Sequence, residues 1–164
     1  MNDLNIKCEN VQITKYRTVV PFELGDYNGH LNVSGYSRIF DEATAVFLNA
    51  IGVGVNYARS KAASTFVLEA HVKHLREVLC GEEVEIETFY IGHDYKRLHY
   101  LHILRRFGED EVAAAQEQLS IHVSLETRRS CPWPAEATAV MGPPIGVDSN
   151  MLSGSIAVRA CSGT

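Results

Sequence analysis

The chain has 164 residues, of which 46% are hydrophobic and 21% charged, and a formal net charge of −5, the composition of one ordinary globular domain large enough for its own core. The acidic balance excludes a nucleic-acid backbone as the main partner, since that role needs a net basic face; it leaves open an anionic small molecule held by a few local Lys and Arg side chains. No run reaches the roughly 18 apolar residues of a membrane span, and Met1 to Asn10 has no apolar segment behind a basic start, so the expectation is a cytoplasmic protein without signal peptide or membrane partner. Cys8, Cys80, Cys131 and Cys161 lack the close spacing of a zinc or redox site and read as free thiols.

In chain order, Ile13 to Pro21 is β-branched and aromatic with partial alternation and predicts a first strand. A Gly-punctuated loop follows, Pro21 to Asn32. From Gly35 to Ala50 apolar residues recur at Tyr36, Ile39, Phe40, Ala43, Phe47 and Ala50, the stripe of an amphipathic helix, with Asn32 or Ser34 as its cap. Gly52-Val53-Gly54 ends that helix, and Asn56 to Lys61 reads as a short helical turn. Phe66 to Val78 predicts a strand with Phe66, Leu68, Ala70 and Val72 on one face and Glu69, His71 and Lys73 on the other. Val84, Ile86, Thr88 and Tyr90 alternate with Glu85, Glu87 and Phe89 in the next strand. Gly92-His93-Asp94 breaks it, Arg97 to Phe107 continues as another, and Gly108-Glu109-Asp110 marks a hairpin. In the last strand Leu119, Ile121, Val123 and Leu125 alternate with Gln118, Ser120, His122 and Ser124. Pro132-Trp133-Pro134 precedes a short helix from Ala135 to Val140. Residues 141–164, rich in Gly, Ser and Pro, read as a loosely packed or disordered tail behind a domain of residues 1–140.

The loop is where chemistry is expected. Asp26-Tyr27-Asn28-Gly29-His30-Leu31-Asn32 sets a carboxylate, an imidazole and an amide just before a helix start, where unpaired backbone N–H groups carry partial positive charge. Asp, Asn and Gly are also favoured in β-turns, so the same residues serve a plain turn. Asp26, Gly29, His30, Asn32, Tyr36 and Phe40 resemble the hotdog-fold acyl-CoA thioesterases, the 4-hydroxybenzoyl-CoA thioesterase-like superfamily. Asp26 to His30, Phe40 to Thr44, Glu69 to Val78 and Asp94 to His99 together are similar to its betainyl-CoA thioesterase branch, associated with carnitine breakdown.

The resemblance implies an α+β hotdog fold, an antiparallel sheet of five or six strands wrapped around one long helix. It also implies hydrolysis of a small acyl-CoA by Asp26, as general base on water or as nucleophile. A backbone N–H near Val33 to Gly35 is the expected oxyanion donor, a contribution of about 10²–10³ in rate. His30 and Asn32 are expected to shape the loop, with proton transfer by His30 as the lesser role and Glu42, on the helix, as reserve carboxylate. A trimethylammonium acyl group requires aromatic faces and an anion, for which Tyr27, Tyr36, Phe40, Tyr57 and Trp133, with Glu69 and His71, are the candidates. Lys96, Arg97 and Arg128 are the candidates for the CoA phosphates, with Arg76 and Arg129 in reserve. CoA is part of the substrate and no cofactor is expected. His71 with His74, and His99 with His102, fall three apart on strands and so point to opposite faces, which discourages a metal site.

Two rival activities use the same fold. An enoyl-CoA hydratase of the MaoC type sets its His five residues after the Asp, whereas here His30 is four after Asp26. Non-catalytic acyl-CoA sensors of the hotdog type carry a DNA-binding helix-turn-helix, and the dozen residues before the first strand are not expected to hold one. Sheet edges of hotdog domains pair, so a homodimer or homotetramer is expected.

Overall fold

The computed structural model describes residues 13–143 and 146–158. Cys80 and Cys131 are free thiols; Cys8 and Cys161 lie outside the described residues. The elements are β1 (Ile13–Val19), α1 (Val33–Ala50), α2 (Val55–Lys61), β2 (Ala63–His74), β3 (Glu83–His93), β4 (Arg97–Arg106), β5 (Val112–Ser124) and α3 (Ala135–Met141). The five strands form one antiparallel sheet in the order β1-β3-β4-β5-β2, leaving β1 and β2 at the edges. With α1 laid along one face, this is the hotdog arrangement.

The period-two pattern in β3 is realised directly: Val84, Ile86, Thr88 and Tyr90 all face α1 and are buried. On α1 the stripe of Tyr36, Ile39, Phe40, Ala43 and Phe47 is buried against them. Complete burial of Phe40 and Phe47 contributes about 2–3 kcal/mol each by transfer from water. One polar tie runs through this layer. The His102 ring, wholly buried, sits between Thr44 Oγ1 of α1 at 2.9 Å and Thr88 Oγ1 of β3 at 2.8 Å, and burial pushes its pKa down to about 3.

Two expectations change. In β2 the pairing with β5 slips between Val67 and Glu69, so a bulge at Leu68 reverses the phase of the strand. Phe66 therefore shares the outer face with Glu69 and His71, while Ala70, Val72 and His74 face the α1 side. The tail also departs from a loosely packed segment: Val147, Met151 and Leu152 pack on Leu101, Ile103 and Ala115 of the outer face. Ser153 N–H donates to Glu117 Oε2 at 2.6 Å, and Lys73 Nζ donates to the carbonyls of Asn150 and Leu152 at 2.7 and 3.1 Å. Leu101 and Ile103 fill the outward positions of an otherwise polar-looking strand, and the segment shields them from water.

Candidate active site

The loop between β1 and α1 is pinned at both ends. Gly81 N–H bonds the Val20 carbonyl at 2.9 Å, Leu31 N–H bonds the Val78 carbonyl at 2.8 Å, and Asn32 N–H bonds the Leu24 carbonyl at 3.0 Å. Inside it, Asp26 to Gly29 is a β-turn closed by Gly29 N–H on the Asp26 carbonyl at 3.0 Å, with Gly29 in the left-handed region at φ 79°. The turn reading and the catalytic reading are thus one object, because the turn is what presents the acid. Asp26 Oδ1 accepts the N–H of Asn28 at 2.8 Å and of His30 at 3.3 Å. The Asn28 bond, foremost, holds this exposed carboxyl below the usual carboxylate range. Oδ2 has only a long 3.5 Å contact with Asn28 Nδ2 and stays available to water or substrate.

Asn32 caps α1. Its Oδ1 accepts Gly35 N–H at 2.8 Å and the Ser34 hydroxyl at 2.6 Å, while its Nδ2 donates back to the Gly25 carbonyl at 3.1 Å. Helix start and acid loop are locked together by this one side chain, and α1 begins at Val33 rather than Gly35. The cap consumes the Gly35 amide. Val33 and Ser34 keep N–H groups without a partner among the described residues, at the positive end of an 18-residue helix.

These groups open onto a cleft of 410 Å³ lined by Asp26, His30, Val33, Tyr36, His74 and Glu77, among others. His30 Nε2 pairs with Glu77 Oε2 at 3.1 Å, while its backbone N–H serves Asp26. Tyr36 lies edge-on to His74 with ring centres 4.6 Å apart. Burial first, and then the charges of Glu82 and Glu77, raise the Tyr36 pKa and keep its hydroxyl protonated. Glu77 was not singled out by sequence and His74 was weighed only as a metal ligand, although both belong to the Glu69 to Val78 segment.

The other expected substrate residues divide. Tyr36 lines the cleft, but Phe40 is buried behind it against His102 and Tyr27 points into solvent at 97% exposure. Glu69 and His71 pair with each other at 2.6 Å on the outer face of the sheet, opposite the cleft, because the β2 register puts them level with Leu119 and Glu117. They do not meet Asp26 within this chain. Trp133 stacks on His122 at the far end of α1, with ring centres 4.8 Å apart, and Tyr57 donates its hydroxyl to, or accepts from, the same His122 ring at 3.1 Å. One aromatic cage made of all five rings is therefore absent. Glu42 faces β1, held by the Tyr16 hydroxyl at 2.6 Å and by Arg38 at 3.4 Å, and does not line the cleft.

The basic candidates lie elsewhere. Lys96 reaches the Ser130 hydroxyl at 3.2 Å, Arg97 is clamped on Asp94 at 2.6 Å, and Arg128 is exposed with φ 58°. They cluster at the end of β3 opposite the acid loop, roughly 30 Å away at the rise of an extended strand. Arg76 does line the cleft, but its guanidinium is paired with Glu111 at 2.7 Å. Arg129 is exposed on the turn after β5.

A helix-backed antiparallel sheet of this order, opening an acid and free helix amides into one cleft, belongs to the hotdog thioesterases. Residues 20–141 match the thioesterase-like superfamily, and the chain belongs to that superfamily as a hydrolase of CoA thioesters. More particularly, it is 40% identical over 127 residues to a betainyl-CoA thioesterase of Pseudomonas aeruginosa, covering 77% of this chain and 80% of that one. It is 36% identical over 122 residues to an L-carnitine dehydrogenase/betainyl-CoA thioesterase of Ruegeria pomeroyi, of which the match spans 24%. A Staphylococcus aureus protein solved in complex with CoA shares the fold with a TM-score of 0.79 at 24% identity, over 90% of this chain and 96% of that one.

Proposed function

We propose that this chain hydrolyses betainyl-CoA to betaine and CoA in the course of carnitine breakdown. The observation that carries the reading is the shared cleft, which is lined both by Asp26, with its Oδ2 unencumbered, and by Val33 at the start of α1. In the base route Asp26 Oδ2 takes a proton from water, and the hydroxide adds to the thioester carbonyl. The resulting oxyanion is stabilised by Val33 N–H and the positive end of α1. Collapse expels the CoA thiolate, which takes up the proton. In the nucleophile route the same oxygen attacks the thioester carbonyl, the C–S bond breaks and the CoA thiolate leaves to be protonated by solvent, and water then opens the resulting anhydride to free betaine and the Asp26 carboxylate. His30 and Asn32 hold the turn and the helix start rather than move protons, since neither side chain contacts the Asp26 carboxylate. No cofactor enters either route.

The working unit is a homodimer or larger assembly in the cytoplasm. β2 is an edge strand carrying exposed Phe66, Val67, Leu68 and Val72, a surface that pairing with a second copy would cover. Antiparallel pairing about a two-fold axis sets the His74 end of one β2 beside the Ala63 end of the other. The acid loop of one chain then lies next to Lys96, Arg97, Arg128 and Trp133 of its partner, joining the two halves that a single chain keeps roughly 30 Å apart.

Thiol release from betainyl-CoA, an unbranched aliphatic acyl-CoA and an aromatic acyl-CoA tests the reading. The expected result is a kcat/KM for betainyl-CoA at least tenfold above the others. Preference for either of the others, or loss of crotonyl-CoA absorbance without thiol release, would contradict it.

A further inference from the structure

Hydrolysis by itself needs the acid, water and the helix amides, yet the cleft holds groups beyond these. The acyl cation in a betainyl thioester is two bonds from the scissile carbon, so whatever recognises it must line the same cleft as Asp26. Within the same chain Glu69 and Trp133 fail that requirement by position. Among the cleft residues the anions are Asp26 and Glu77, and Asp26 is engaged with the attacking oxygen. Glu77 uses one oxygen for His30 at 3.1 Å, and the other has no hydrogen-bond partner among the described residues. The neighbouring Arg76 is spent on Glu111, which leaves no unpaired arginine lining the cleft to oppose a cation. The Tyr36 ring, held by burial and by its contact with His74, stands at the same wall. A quaternary ammonium group has no N–H to donate, so an anion beside an aromatic ring is what distinguishes it from a hydrocarbon of equal shape.

Building on the betainyl-CoA reading, we propose that Glu77, with the Tyr36 ring, is the specificity determinant that selects acyl-CoA thioesters bearing a fixed positive charge next to the carbonyl. The choice is made by charge and not by the volume of the acyl group. Glu77 contacts the acyl group and takes no part in bond making.

The test is a pair of substrates of matched shape: betainyl-CoA and its neutral isostere tert-butylacetyl-CoA, each assayed by thiol release with the wild type and with Glu77→Gln. Gln keeps an acceptor for His30 and the side chain is more than half exposed, so the fold is expected to be retained. The wild type is expected to favour betainyl-CoA by tenfold or more in kcat/KM. Glu77→Gln is expected to lose about tenfold on betainyl-CoA, chiefly through KM, while tert-butylacetyl-CoA changes less than about threefold. Equal loss on both substrates would make Glu77 a positioning residue acting through His30 and overturn the proposal, as would no loss on either. A wild type that prefers the neutral isostere would overturn the betainyl reading as well, whereas an unchanged betainyl preference in Glu77→Gln would overturn the role of Glu77 alone.

Discussion

Replacing Asn32 tests the joint between scaffold and chemistry, because that side chain makes three hydrogen bonds that no other residue supplies. Its Oδ1 caps α1 on Gly35 N–H at 2.8 Å and holds the Ser34 hydroxyl, and its Nδ2 reaches the Gly25 carbonyl in the acid loop at 3.1 Å. Loss of an N-cap costs about 1 kcal/mol and loss of a half-buried side-chain bond to backbone about another 1 kcal/mol, so Asn32→Ala is expected to lose about 2 kcal/mol. For a chain of this length that lowers Tm by about 4–8 °C. Asn32→Ser retains a capping oxygen and loses the reach to Gly25, so about half of the stability returns. Activity separates from stability in this pair: with the loop freed from the helix in both variants, kcat/KM for thiol release falls at least tenfold in both. Urea melts at fixed protein concentration, with unchanged m-values, read the stability term. A serine variant with full activity would refute the idea that the Gly25 tether positions Asp26, and an alanine variant of wild-type stability would refute the cap.

Other expectations concern the frame around the cleft. Gly35→Ala improves helix propensity, yet its Cβ would lie 2.5 Å from Leu31 Cδ1 and 2.8 Å from the Leu24 carbonyl that anchors Asn32; the net is a loss of about 1–3 kcal/mol, read as a lower Tm. For His102 the sign follows from its low folded pKa: the unfolded chain takes up a proton below the ordinary value of 6.5 and the folded chain does not until about 3, so stability falls as pH drops through that window. Between pH 6.5 and about 5 the fall is up to about 2 kcal/mol, and His102→Gln is expected to remove that part of the pH dependence in urea melts. Deleting residues from Gly146 onward uncovers Leu101 and Ile103 and leaves Glu117 without its Ser153 donor, so the truncated chain should bind an apolar-surface dye and melt several degrees lower. The acid limb of the kcat/KM profile is expected below the ordinary carboxylate pKa of 3.8, because two backbone N–H groups stabilise the charged form of Asp26.

The parts of this architecture that local pattern writes down were legible. The β3 alternation, the α1 stripe and the Asp26 turn each depend on residues within a few positions of one another, so the sequence carries them whole. The side of the sheet that Phe66 faces was not legible, since a bulge at Leu68 shifts the phase and nothing in Phe66-Val67-Leu68-Glu69 marks it, whereas Glu69 and His71 do lie opposite Ala70 and Val72 as their alternation required. The position of residues 146–158 was hidden for a related reason. Val147, Met151 and Leu152 bury themselves one at a time on a distant strand face, which leaves neither a helical nor a strand period. The same holds for the cleft wall: Glu77 and His74 share a cleft with Asp26 because the Leu31 to Val78 and His30 to Leu79 pairings hold the segment after β2 against the loop. His71 and His74 do point to opposite faces, as their spacing required, with His71 beside Glu69 on the outer face and His74 against Tyr36 in the cleft.

Asp26→Asn changes one oxygen to an amide and leaves the turn able to form, since Oδ1 still accepts from Asn28 and His30. Thiol release from betainyl-CoA by this variant, with its Tm recorded alongside, is the most direct measurement. A fall in kcat of about 10²–10⁴ at nearly unchanged Tm is the predicted result; turnover within about threefold of wild type would contradict the assignment of the acid.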